Sequence, residues 1–172
     1  MGPESRADDD GPLIGALLRG CWHAVRTRIR RDLIASGFDD IGAAHLAVFQ
    51  HPSPRGVRIT ALADRAGMSR QAITYLVREL EAKSYLERRP DPSDGRASLV
   101  HLTDRGEAAV RAIRASVRRL EHEWERELGS SRLTQFRQTL LAVSGAMPDS
   151  EGRSARHAAA SECERAVGCA GS

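Results

Sequence analysis

The chain has 172 residues, enough for one compact domain with tails, and is 41 % hydrophobic but only 4 % aromatic, so its core must be mostly aliphatic. No apolar run approaches the roughly 18–20 residues that span a bilayer. The acidic start MGPESRADDD lacks the basic and apolar regions of a signal peptide, and Arg6 stands where a myristoylation pattern wants Ser or Thr, so a cytoplasmic location is expected. The net charge of +3 and pI of about 9.1 are too mild to identify a nucleic-acid partner by themselves.

In chain order five segments are expected. Residues 1–12 read as a disordered start, 13–54 as two dimerisation or linker helices, 55–102 as a separate small module, 103–147 as two further helices, and 148–172 as a disordered tail. The tail is rich in Ala, Ser, Gly, Glu and Arg without apolar periodicity, apart from a weak helical pattern over 154–167. In the first helix Ile14, Leu18, Cys21, Val25 and Ile29 fall on one apolar stripe, which predicts Cys21 as a buried, inert thiol, and Gly37 stops the helix. The second helix is expected from about Ile41 to Gln50, ended by Pro52 and Pro54.

Residues 59–89, ITALADRAGMSRQAITYLVRELEAKSYLERR, read as short helix, glycine turn, second helix. Thr60 is the expected cap of the first helix, with Leu62, Ala63 and Ala66 as its small apolar face. Gly67 supplies the left-handed turn residue and Ser69 caps the next helix. There Ile73, Leu76, Val77 and Leu80 face the core, leaving Arg70, Gln71, Thr74, Tyr75 and Arg78 on the opposite face. Such a face suits a helix in the major groove, where Gln pairs with adenine and Arg with guanine and Tyr75 reaches phosphate. A solvated polar face on an ordinary helix has the same pattern. Between Arg55 and Arg78 five arginines stand against one acid, Asp64.

Residues 85–102, YLERRPDPSDGRASLVHL, read as strand, tip, strand, with Pro90, Asp91, Pro92, Asp94 and Gly95 supplying turn chemistry. A hairpin directly after the second helix is a wing. Arg96, at or just past the tip, is placed to enter a minor groove, with Asp94 expected to orient its guanidinium. Val110, Ile113, Val117, Leu120 and Trp124 then follow a 3-4-3-4 spacing and predict a seam with a partner helix, expected to come from a second copy of the chain because the module is too small to bury it. Gly129 ends that helix, and Leu133, Phe136, Leu140 and Val143 mark another.

The run ELEAKSYLERRPDPSDGRASLVHLTDRG, with its DPSDGR tip and LTDRG helix start, resembles the MarR family of regulators, and the likeness extends in order over residues 13–147. The resemblance implies a mainly α fold with a small β-wing, a winged helix-turn-helix between dimerising N- and C-terminal helices. It implies a homodimeric repressor on a palindromic operator in double-stranded DNA, released by a small phenolic or carboxylate ligand. Carried over by position, Ser69, Arg70, Gln71, Thr74 and Arg78 match the DNA-facing helix, and Asp94 and Arg96 the wing. An activator or ligand-independent regulator of the same fold, or a winged-helix protein-interaction module, fits the same pattern.

Trp22, Arg26 and His45 are candidate effector-binding residues, since an arginine and a histidine near a tryptophan suit an aromatic carboxylate. The alternative is that Trp22 fills the dimer core while Arg26 and His45 are solvated. Cys21 departs from the family's peroxide-sensing pattern, whose position falls nearer Leu18 and whose supporting second-helix tyrosines are absent. Cys163, Cys169 and His157 lack metal-site spacing, and three cysteines indicate no disulfide framework. No catalytic motif occurs, so neither an enzyme nor a bound cofactor or metal is expected.

Overall fold

The structure, a computed structural model, describes residues 11–51 and 53–146. The expectations for residues 1–10 and 148–172, including Cys163, Cys169 and His157, lie outside the described residues. Helix α1 (Ile14–Ala35) leads through a 3₁₀ turn (Ala43–His45) to the short helix α2 (Leu46–Phe49), then strand β1 (Val57–Arg58). Helices α3 (Ile59–Ala66) and α4 (Arg70–Ala82) follow, then strands β2 (Leu86–Asp91) and β3 (Asp94–Leu102), and the long helices α5 (Asp104–Leu128) and α6 (Ser130–Ala146). The fold is mostly helical with one three-stranded antiparallel sheet of order β1-β3-β2, a winged helix-turn-helix flanked by long helices.

Only the second half of α1 joins the core. Ile29 and Leu33 are buried and Val25 packs beside them, but Ile14 is 74 % exposed, Leu18 is exposed and so is Cys21. The expectation of a buried Cys21 is therefore corrected: among the described residues nothing covers the start of α1. α1 ends where Gly37 adopts φ +83°. The single helix expected over Ile41–Gln50 is instead a turn of 3₁₀ and four α residues. The chain bends at Gly42, whose N–H is captured by His45 Nδ1 at 2.9 Å, while Ile41, Leu46, Val48 and Phe49 still reach the core.

Helix α3 begins two residues earlier than a cap at Thr60 allows. Its cap is Arg58, extended and making no side-chain cap bond, so the expected Thr60 cap is not formed. The cause is β1, a strand the sequence pattern does not reveal, whose Val57 and Arg58 pair with Val100 and Leu99 of β3 and deliver the chain into the helix at Arg58. Leu62 and Ala63 are buried, Gly67 turns the chain at φ +60°, and the Ser69 hydroxyl oxygen accepts from the Ala72 N–H at 3.2 Å to cap α4. Ile73, Leu76, Val77 and Leu80 are buried as their spacing predicts.

Val110 is 7 % exposed, and Ile113 and Val117 pack against the same core. This corrects the expected intermolecular seam for its first half: α1 lies along α5 and covers these residues from within the chain. Leu120 and Trp124 are half-buried. Among the described residues the exposed large apolar side chains lie mostly on the start of α1 (Leu13, Ile14, Leu17, Leu18, Trp22), at Leu128, and on α6 (Phe136, Leu140, Leu141, Val143). Leu133 is half-buried, and Arg137 ties α6 back to Glu121 at 3.1 Å.

Candidate nucleic-acid interface

Helix α4 presents Arg70, Gln71, Thr74, Tyr75 and Arg78 along one open groove. The buried residues at 73, 76, 77 and 80 hold the opposite face down, so helical periodicity alone sets which side chains look outward. The side chains of Arg70, Gln71 and Arg78 have no hydrogen-bond or ion-pair partner among the described residues. Thr74 donates its hydroxyl hydrogen to the Arg70 carbonyl at 2.6 Å, leaving its lone pairs and methyl group outward. Tyr75, 61 % exposed, donates to Glu79 Oε1 at 3.1 Å.

The wing is preset by a cluster the sequence reading did not assemble. Asp91, only 6 % exposed, accepts from both the N–H and the hydroxyl of Ser93 through Oδ1, at 2.8 and 2.6 Å. Its Oδ2 takes the Arg58 guanidinium, with Nε at 2.7 Å. Those Ser93 bonds, then the Arg58 bond, hold the Asp91 carboxyl down at about 2. The D-P-S triplet is a legible Asx-turn signal; the arginine that completes it comes from 33 residues earlier. Asp94 does not orient the Arg96 guanidinium as expected. Its Oδ1 accepts from the Arg96 backbone N–H at 3.1 Å and its Oδ2 lies 3.7 Å from Arg58, because a short acidic side chain in a turn finds local backbone before a long neighbour's tip. The Arg96 side chain is exposed and unpaired among the described residues.

The wing's base is locked to the rest of the chain through Tyr85, which is fully buried. Its hydroxyl donates to Asp40 Oδ1 at 2.6 Å, and Phe49 meets its ring edge-on at 5.9 Å. Arg105 lies 4.3 Å over the same ring and also reaches Asp40 and the Lys83 carbonyl, each at 3.0 Å. Burial, then the Asp40 hydrogen bond, pushes the Tyr85 hydroxyl up to about 12. Thr103 caps α5 by accepting from the Gly106 N–H and donates to the Ser84 carbonyl. The end of α4, the wing and α5 are thereby held together.

Of the candidate effector residues, Trp22 is 44 % exposed on α1, and Arg26 spans from α1 to the Ala43 carbonyl at 3.3 Å. His45 is buried, 5 % exposed, rather than solvated, and both its ring nitrogens are engaged, Nδ1 by Gly42 and Nε2 by Glu79 at 3.2 Å. Among the described residues no group of three or more His, Cys, Asp or Glu is placed to hold a metal, and no helix is long and apolar enough to cross a membrane.

A capped, outward-facing second helix followed by a preset hairpin defines a winged helix-turn-helix protein. Residues 45–97 match the family model described as MarR family. Solved structures agree over most of the chain. A MarR family transcription regulator is 26 % identical, with a TM-score of 0.63, over 76 % of this chain and 83 % of its own. CouR from Rhodococcus jostii RHA1, bound to p-coumaroyl-CoA, is 25 % identical, with a TM-score of 0.63, over 84 % and 99 %. MarR from E. coli, in its apo form, shares the fold at 22 % identity, with a TM-score of 0.61, over 78 % and 98 %. A search of curated proteins returned no match. Residues 45–97 thus carry the MarR family pattern, and the chain has the fold of MarR family transcription regulators.

Proposed function

We propose that this protein is a homodimeric transcriptional repressor that binds a palindromic operator in double-stranded DNA and is released by a small aromatic carboxylate or phenolic ligand. The observation that carries the DNA reading is the set of unpaired donors on one surface. Among the described residues Arg70, Gln71 and Arg78 on α4 stand without partners, beside a wing whose tip is fixed by Arg58, Asp91 and Ser93 while Arg96 is unpaired. An unpaired guanidinium retains its full fork for guanine edges or phosphate. Ser69, Thr74 and Tyr75 complete the helix side of the interface and Asp94 shapes the wing. Binding to a palindrome from the promoter region is expected to be tighter than to random duplex by about a thousand-fold or more and to weaken steeply with salt. Equal affinity for both duplexes rejects the reading. Arg96→Ala is expected to cost about 1–3 kcal/mol of binding free energy, measured by fluorescence anisotropy; unchanged affinity removes the wing from the interface.

The exposed apolar faces of α1 and α6, with Leu120, Trp124 and Leu128 on α5, support dimerisation between the terminal helices. Light scattering at micromolar concentration is expected to give twice the chain mass, and a monomer mass contradicts it. The ligand reading draws on CouR, a neighbour bound to an aromatic acyl-CoA, and on Arg26, which reaches the Ala43 carbonyl in the turn that carries His45, with the exposed Trp22 four residues earlier on α1. A true effector raises the melting temperature by mass action, so a screen of phenolic and carboxylate compounds with no shift leaves the regulator without this release mechanism.

A further inference from the structure

Three residues from two parts of the chain meet behind the outward face of α4. The Gly42 N–H donates to His45 Nδ1 at 2.9 Å, so that nitrogen is an acceptor and the ring proton of the neutral imidazole sits on Nε2. Nε2 lies 3.2 Å from Glu79 Oε2 and therefore donates to it. The other carboxylate oxygen, Oε1, takes the hydroxyl hydrogen of Tyr75 at 3.1 Å. Two donors thus converge on one carboxylate. The His45 bond holds the Glu79 carboxyl below its ordinary range, and the Glu79 bond raises the Tyr75 phenol.

A tyrosine hydroxyl has one hydrogen. Here it is engaged inward, and what Tyr75 offers to the groove it shares with Arg70, Gln71, Thr74 and Arg78 is lone pairs only. A phosphate oxygen is also an acceptor, and the Glu79 charge beside the phenol repels it further. The complementary groups in the major groove are the exocyclic amines, N6 of adenine and N4 of cytosine, whereas O6 of guanine and O4 of thymine present acceptors. Resting on the DNA-binding reading above, we propose that Tyr75 is a specificity-determining residue that accepts a hydrogen bond from an adenine or cytosine amine, and that Glu79 and the buried His45 are positioning residues that fix its hydroxyl as an acceptor. This replaces the phosphate contact expected from the sequence.

The test is selection of duplexes from a random pool by the full chain and its variants. The wild type is expected to select a motif with one position per half-site enriched in adenine or cytosine, and Tyr75→Phe is expected to lose roughly five-fold of preference there and little elsewhere. Glu79→Gln should relax the same position. His45→Leu should do so too, with His45→Gln restoring it in part, while circular dichroism and the melting temperature report whether each variant folds. If the position selects adenine, replacing it by purine, which lacks the amine, should weaken the wild type by the same factor and leave Tyr75→Phe unaffected. An even loss of affinity for all duplexes with a shallower salt dependence in Tyr75→Phe identifies a phosphate contact and overturns the proposal. So does an unchanged motif in Tyr75→Phe, or an unchanged preference in Glu79→Gln. A wild type that selects no motif overturns the DNA-binding reading itself, and this one with it.

Discussion

Gly106→Ala is expected to destabilise the chain by about 2 kcal/mol or more, measured as a lowered midpoint in urea unfolding with an unchanged slope. The glycine is buried in the first turn of α5, and its φ is not the reason it is there. A Cβ built at this position falls 2.1 Å from the Tyr85 carbonyl oxygen and 3.0 Å from Leu102 Cδ2. Leu102 can give way; the Tyr85 carbonyl is backbone, and it already accepts from the Thr103 N–H at 3.1 Å. Alanine gains about 1 kcal/mol of helix propensity over glycine, so a destabilised variant means the clash has exceeded that gain. Relief requires α5 to move away from the wing's base, which loosens the Thr103 cap and the Arg105 stack on Tyr85 together. A midpoint equal to or above the wild type's shows that α5 is not seated on Tyr85 in this way.

Elements whose signals are local were legible in the sequence. Ser69 and the 73-76-77-80 spacing fix α4 within a dozen residues, and Pro, Asp and Gly between 90 and 95 fix the hairpin. What covers an apolar stripe was not legible, because periodicity gives the face and not its partner. The spacing of Val110, Ile113 and Val117 fits a second copy as well as the chain's own core, which is where they pack, and the stripe that includes Cys21 is left exposed among the described residues. The two-residue strand β1 has no periodicity at all, and its pairing with β3 displaced the helix cap from Thr60 to Arg58. In the candidate site the outward residues of α4 follow from spacing. The clamp of Arg58 on Asp91 and the bond from His45 to Glu79 join positions 33 and 34 residues apart, and charge patterning carries no signal at that distance.

The pairing furthest from any sequence signal gives the other large expected effect. Asp32 on α1, with its side chain 13 % exposed, takes the buried Ser116 hydroxyl at 2.7 Å and the Arg119 guanidinium at 2.9 Å from α5, with Arg28 Nε at 3.3 Å from its own helix. Arg28 in turn grips Glu123 of α5 through two bonds of 2.7 Å. Burial pushes the Asp32 carboxyl up, but the Arg119 and Ser116 hydrogen bonds and the Arg28 charge outweigh it and hold the group at about 2. Asp32→Ala is expected to cost about 2–3 kcal/mol at pH 7, chiefly because the buried Ser116 hydroxyl loses its acceptor, since the half-exposed Arg119 returns to water and Arg28 keeps Glu123.

The same residue sets a pH dependence. Its folded pKa of about 2 lies below its ordinary 3.8, so the unfolded chain takes up the proton first as pH falls. The stabilisation is complete above about pH 4 and is lost as pH falls toward 2, at about 2 kcal/mol for the whole window. Asp91, held low in the wing, titrates over the same range in both proteins. The wild-type plot of unfolding free energy against pH should therefore fall more steeply below pH 4 than that of Asp32→Asn, whose residual slope reports Asp91 and the remaining carboxylates. If the two plots run parallel from pH 5 to 2.5, Asp32 is not the anion that clamps α1 to α5.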